Sequence, residues 1–279
     1  MLLGTLFLVL SLAPSSSSTQ WAKTFQVTEM PDLRVDTSDA NIHVHSWDKN
    51  EIQVTVTARG WSIGGSNAVD VIAGQNGNSV KVEVKFPHHW FGMQLGSRRV
   101  DVEINAPRRI HANLHTGDGN VDLGGIAGDL VLASGDGNIT VNDARGSLDL
   151  GSGDGHIQLD RVDGTVKAHT GDGKIRVNGR FDALELKTGD GSIEASAQPG
   201  SRMTGPWTLH TGDGHLSLRV PEGFAADVHI HTSDGHIDLG LPVEVSGRVG
   251  TTDVRGRLNG GGSLLTLTAG DGSIDFQKL

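Results

Sequence analysis

Apolar residues in this chain recur in pairs separated by one residue, and the pairs themselves recur every eighteen residues. Val121 and Leu123, Ile139 and Val141, Ile157 and Leu159, Ile175 and Val177, and Ile193 and Ala195 form one series. Leu130 and Leu132, Leu148 and Leu150, Val166 and Ala168, and Leu184 and Leu186 form a second. Spacing by two puts both members of a pair on one face of a strand. Eighteen residues therefore predict two short strands joined by two corners, with no helix-length apolar pattern between them. A lone coil of this kind cannot bury its apolar pairs. Stacked coils can, because each strand hydrogen-bonds to its copy about 4.8 Å away and like side chains pile up inside. The outward positions agree with that register. Asp149, Lys167 and Glu185 occupy equivalent places in successive coils, and Arg176 falls one coil from Glu194. Opposite charges thereby become neighbours across parallel strands.

One corner repeats a four-residue signature: Thr116-Gly117-Asp118-Gly119, Ser134-Gly135-Asp136-Gly137, Ser152-Gly153-Asp154-Gly155, Thr170-Gly171-Asp172-Gly173 and Thr188-Gly189-Asp190-Gly191. It predicts a tight turn in which glycine adopts positive φ and Asp hydrogen-bonds backbone amides two residues on. The preceding Thr or Ser is placed to form a hydroxyl ladder. The competing reading is a Ca²⁺-binding Asp column, as in calcium-binding β-rolls. Those rolls supply oxygens from both corners, and the second corner here (Gly124 to Gly128, or Asp160 to Gly164) does not match their nonapeptide pattern. The structural turn is favoured.

Outside the regular region the pattern loosens without vanishing. Thr37 to Val44 is a degenerate copy of the repeat, and alternating segments at 52–56, 80–84 and 100–104 predict half-buried strands. This part is expected to begin the same stack with wider loops and to cap its first rung, since a bare rung is an open sheet edge. The loop from Phe86 to Arg99, with His88, His89, Trp90, Phe91 and Met93, is expected to fold over that end, or to serve as a binding patch. After Asp190 the signature spacing widens to Asp213, Asp234 and Asp271. The inward pairs persist as Trp207 and Leu209, Val228 and Ile230, and Leu265 and Leu267. The added residues are thus loops at the second corner, with one further degenerate coil expected near Val243 to Leu258.

Residues 2–13 are an apolar run of signal-peptide length followed by serines, so cleavage is expected near residues 18–22 and no later integral membrane segment is expected. The division is then 1–20 signal peptide, 21–110 capping part and 111–279 regular repeats. The chain has no Cys, which excludes disulfides and a thiol nucleophile and is compatible with export. A net charge of −10 argues against nucleic acid and against a broad basic face for anionic lipid.

The candidate chemistry centres on histidine. His210 and His231 lie three residues before Asp213 and Asp234, and His215 and His236 lie two after. With His229 they are expected on two successive coils, facing solvent, as candidate Zn²⁺, Cu²⁺ or Ni²⁺ ligands. Against this, His115, His156 and His169 occupy the same columns elsewhere, as freely varying positions would. Ca²⁺ or Zn²⁺ is the only cofactor reading. Catalysis finds no converging acid pair, no phosphate loop before a helix and no nucleophile elbow. An enzyme is not expected; a polysaccharide-processing β-helix enzyme is the remote alternative.

The chain resembles the bacterial exported domains of unknown function described as adhesin-like. The resemblance rests on Leu33 to Trp47 followed by Glu51-Ile52-Gln53-Val54, on the tandem Thr-Gly-Asp-Gly-x-Ile series, and on the ending. The ending runs from Val245-Ser246-Gly247-Arg248 through Gly256 to Gly262, then Leu265 to Ile274. It implies an all-β, single-stranded, right-handed β-solenoid exported to the periplasm or cell surface, with no established catalytic residues. The implied role is a binding scaffold for an envelope glycan, a protein or a second copy of itself.

Overall fold

The computed structural model describes residues 19–65, 67–87, 98–245 and 252–279. Every regular element among them is a strand, and the strands join in one sheet. None of them is a helix long and apolar enough to cross a membrane. The first seven strands are β1 (Gln20–Gln26), β2 (Asp32–Thr37), β3 (Asn41–Trp47), β4 (Glu51–Arg59), β5 (Asp70–Asn76), β6 (Ser79–Lys85) and β7 (Arg99–Pro107). The regular repeats supply β8 (His111–Thr116), β9 (Val121–Gly124), β10 (Ala127–Ser134), β11 (Ile139–Asn142), β12 (Arg145–Ser152), β13 (Ile157–Thr170), β14 (Ile175–Thr188) and β15 (Ile193–Ala197). The remainder supplies β16 (Trp207–Thr211), β17 (Leu216–Val220), β18 (Ala226–Thr232), β19 (Ile237–Leu239), β20 (Val243–Val245), β21 (Asp253–Leu258), β22 (Leu264–Ala269) and β23 (Ile274–Lys278).

In the regular region the eighteen-residue repeat is the pairing register. Ile139 lies opposite Val121 and Ile157, and Leu148 lies opposite Leu130 and Val166, all in parallel strands. Every residue of both apolar series is buried. A third inward position lies in the second corner, filled by Ile126, Ala144 and Val162. β13 and β14 run through that corner as unbroken 14-residue strands, so it is more regular than its composition suggests. Toward the wide loops the core turns aromatic. Phe181 packs edge-on against Trp207 at 6.2 Å, and Trp207 meets Phe224 at 5.2 Å.

The signature corner corrects the expected role of its glycines. They do not adopt positive φ; the positive-φ glycines of the repeat are Gly125, Gly128, Gly146 and Gly164, in the second corner. What excludes a side chain is the neighbouring rung. A Cβ on Gly137 would stand 1.9 Å from the carbonyl oxygen of Gly119, and one on Gly155 would stand 2.0 Å from that of Gly137. The buried hydroxyl before each turn completes the seam. Ser134 Oγ accepts from Gly137 N–H at 2.9 Å and donates to Gly119 O of the preceding coil at 2.8 Å. Ser152 repeats this with Gly155 N–H at 3.0 Å and Gly137 O at 2.9 Å. The hydroxyls bridge backbone to backbone instead of bonding to one another.

Both ends depart from a simple winding. β2 and β3 lie between the rung of β6 and β7 and the rung of β8 and β9. At the far end β22 and β23, the last strands of the chain, lie between β16 and β17 on one side and β18 and β19 on the other. Several outer rungs carry antiparallel strands: β4 on β7 with β1 on β4, β5 on β6, and β21 on β18 with β20 on β21. Of the residues expected to form a degenerate coil near Val243 to Leu258, Val243–Val245 and Asp253–Leu258 form this last antiparallel pair. Antiparallel additions terminate a parallel stack without presenting another rung of the same register. Residues 1–18 and the His88 to Met93 cluster lie outside the described residues.

Candidate functional site

The signature carboxylates ride on the outside of the corner. Asp118, Asp136, Asp154, Asp172, Asp190, Asp213, Asp234 and Asp271 are exposed. They do not cap the amides two residues on. The side chain at that later position does so from the neighbouring coil: Asn41 Oδ1 accepts from Asn120 N–H at 3.1 Å, and Asn120 Oδ1 from Asn138 N–H at 2.8 Å. Asn138 Oδ1 accepts from His156 N–H at 2.8 Å, and His156 Nδ1 from Lys174 N–H at 2.9 Å. His156 is therefore a rung-to-rung acceptor through Nδ1. The signal was in the sequence as Asn at eighteen-residue spacing.

The histidine set is spread more widely than the sequence suggested. His210 and His231 are not on neighbouring rungs, because Thr268 of β22 stands between them. Ser273 separates His215 from His236 in the same way, and its hydroxyl lies 3.1 Å from His236 Nδ1. Two rungs amount to about 9–10 Å, whereas a shared Zn²⁺ holds each nitrogen at about 2 Å. Among the described residues no three His, Asp or Glu side chains converge at metal-binding distance. The imidazoles meet carboxylates instead: His215 with Asp275 at 3.3 Å, and both His229 and His231 with Asp253 at 3.5 Å.

The arrangement best suited to a ligand lies on the outer face formed by β14, β15, β17 and β23. Parallel pairing aligns Arg176, Glu194, Ser217 and Asp275 in one outward column, and Asn178, Ser196, Arg219 and Gln277 in the next. Long side chains at Arg176 and Arg219 with short ones between them leave a groove of about 410 Å³. Glu194 is pinned on one wall, with hydrogen bonds from Lys174 Nζ and, at 2.8 Å, from Arg176 Nε. These bonds, Lys174 first, hold its carboxyl below the ordinary glutamate range, so it is ionised at neutral pH. Asn178 is oriented by Asp160, to which its Nδ2 donates at 2.8 Å, and by Gln198, whose Nε2 donates to its Oδ1 at 2.7 Å. Ser196, Ser217 and Arg219 have no side-chain partner among the described residues. The groove thus offers hydroxyl, guanidinium, amide, imidazole and carboxylate groups on a rigid ladder. Sequence reasoning passed over it because neighbours on its columns lie 18 to 58 positions apart and share only outward parity.

The Toastrack DUF4097 family model matches residues 30–275. Among solved structures, the chain is similar to a candidate adhesin from Bacteroides fragilis, with 12% identity, 94% of this chain and 98% of that chain covered, and a TM-score of 0.44. It is also similar to a candidate lipid binding protein from Parabacteroides distasonis, with 13% identity, 92% and 96% coverage, and a TM-score of 0.49. A candidate cell adhesion protein from Clostridium sporogenes shows 13% identity, 93% and 99% coverage, and a TM-score of 0.32. No curated protein matches the sequence. With a family model spanning all but the two ends, the chain belongs to the Toastrack DUF4097 family.

Proposed function

We infer that this chain is an exported, non-catalytic binding module of the bacterial envelope, and that the groove between Arg176 and Arg219 takes an envelope glycan. The observation that carries this is the groove's lining of free hydroxyl and guanidinium groups beside fixed carboxylate and amide groups, a set matched to a polyhydroxylated ligand. A protein partner is less well served. The exposed large hydrophobics among the described residues are Ile72, Val131, Leu264 and Leu279, which come from widely separated stretches of the chain. Export is supported by the apolar run at residues 2–13, and the absence of Cys is compatible with it. The coils are taken to wind in the right-handed sense that parallel crossovers adopt almost without exception. Binding of the full-length chain to an array of bacterial envelope polysaccharides tests the reading: retention on at least one glycan is expected, and none on any would refute it.

The unpaired signature carboxylates support a second proposal, in which Ca²⁺ occupies the Asp column; the reading of the sequence that sets Zn²⁺ on His210, His215, His231, His236, Asp213 and Asp234 is tested beside it. A thermal melt after chelation and after readdition of each ion decides it. A rise of several degrees with Ca²⁺ that survives His210→Ala with His231→Ala supports the Asp column. A Zn²⁺ response lost in that double variant supports the histidines, and a flat response removes both.

A further inference from the structure

Along the second corner, on a different part of the surface from the glycan groove, the stack lines up a row of arginines. Pairing places Arg109, Ala127, Arg145, Asp163 and Arg180 at equivalent positions on five successive rungs. Ala127 is the one short side chain in that column. Its place is part of a groove of about 420 Å³, floored by Gly125, Ile126 and Ala127 and walled by Arg108, Arg145 and Arg161.

The two carboxylates in this groove are already engaged. Asp143 accepts from Arg161 Nε at 2.8 Å and from Arg161 Nη2 at 3.0 Å, and Asp163 is paired with Arg180. Arg180 is further tied to Asp182 at 2.7 and 3.0 Å. Arg108 is held by Asp48 at 2.7 Å. Arg109 and Arg145 make no side-chain hydrogen bond or ion pair among the described residues, although Arg145 is near enough to Asp143 to help hold that carboxyl below its ordinary range. The groove therefore keeps unused guanidinium donors in a chain whose net charge is −10.

The backbone is strained at the same place. Gly125, Asp143 and Arg161 are equivalent residues of successive coils, and all adopt positive φ, at 74°, 54° and 53°. Glycine fits such a position without steric cost, whereas Arg does not. Arg161 stands there nonetheless, its guanidinium pinned by Asp143 at the groove wall.

We propose that this groove is an oxyanion-binding site that takes a linear acidic polymer, with Arg145 as its principal free donor and Arg108 and Arg161 as oriented walls. A planar guanidinium matches carboxylate, sulfate or phosphate oxygens in bidentate fashion. The row is one residue wide and follows the stack, which suits a polymer lying along it. A lipid surface would need cations spread over a broad face.

The test measures binding of the exported chain, residues 21–279, at low salt, to polygalacturonate, dextran sulfate and neutral dextran. Retention on one or both acidic polymers and none on dextran is expected; preference between the two identifies carboxylate or sulfate as the recognised group. Arg145→Ala should weaken binding about tenfold, since it removes one charge-assisted donor. Ala127→Asp should abolish it by setting a carboxylate between Arg109 and Arg145, and Ala127→Arg should tighten it by completing the column. Position 127 faces outward and accepts Arg or Asp in the adjoining coils, so melting curves should show all three variants folded. Equal affinity for wild type and Ala127→Asp, no retention on either acidic polymer, or stronger binding to phosphatidylglycerol vesicles than to the polymers would overturn the proposal.

Discussion

At the scale of single residues, the repeat conserves space rather than turn conformation. The signature glycines face the carbonyl oxygens of the next rung at distances no Cβ tolerates, so the tandem Gly-Asp-Gly is a record of stacking. Gly137→Ala should therefore destabilise the chain by about 1–3 kcal/mol, the usual cost of overpacking, because backbone must move to admit one methyl. Denaturant unfolding would reveal it, and a change below a few tenths would mean that the rungs are less closely held. The same local logic made the inward residues readable from the sequence. Alternation by two fixes which side of a strand a residue faces, whatever lies beyond. What it could not reveal was the purpose of the glycines, since a residue without a side chain gives the same letter for positive φ and for close approach.

Strands and coils obey a different rule, because side-chain parity says nothing about which rung lies next. The repeated coils are nearly equivalent, so any of them could in principle pair with any other, and the sequence order was the only guide. That guide fails for β2 and β3 and for β22 and β23, each set one rung inside its end of the stack. It also moved the histidines apart, by placing Thr268 and Ser273 between coils that follow one another in the chain. A terminal coil ordinarily frays. Here the amides of β22 should exchange as slowly as those of β16 and more slowly than those of β20, although β22 lies within 16 residues of the C-terminus. Hydrogen exchange read by mass spectrometry checks this; fast exchange in β22 would return the last coil to the outside of the stack.

The links between rungs also carry a pH signature. Lys174 and Arg176 hold the Glu194 carboxyl below its ordinary value of 4.5. A carboxylate lowered on folding contributes stability that is present above that value and lost as pH falls through the lower, folded value. The stability difference between wild type and Glu194→Gln should accordingly be constant above about pH 5 and shrink at more acid pH. Parallel pH–stability curves for the two proteins down to the acid limit would show that the ion pairs contribute nothing on the folded side.

For the whole molecule, the fold was legible far beyond the function. A constant period predicted a stack of parallel rungs with an aliphatic core, and the pairing register reproduces it coil by coil through the regular region. The candidate site was not legible, because a face of a stack is assembled from residues one rung apart in space and many apart in sequence. The eighteen-residue period already makes Arg176 and Glu194 neighbours, but Asp275 joins Ser217 in that column only once β23 is known to lie beside β17. The sequence pointed to histidine and aspartate because those residues stand out one at a time; the groove depends on side chains that are ordinary singly.

That groove is where the account is most exposed. Ser217 lies between Glu194 and Asp275 on its column, so Ser217→Arg would place a cation between two carboxylates and fill the groove without touching the core. Calorimetric titration of the wild type and this variant, each with the best-retained envelope polysaccharide, measures the claim directly. The account predicts at least about a tenfold loss of affinity in Ser217→Arg, equivalent to about 1.4 kcal/mol, with an unchanged melting curve. Equal affinity in the two proteins would contradict it and move the glycan site to another face.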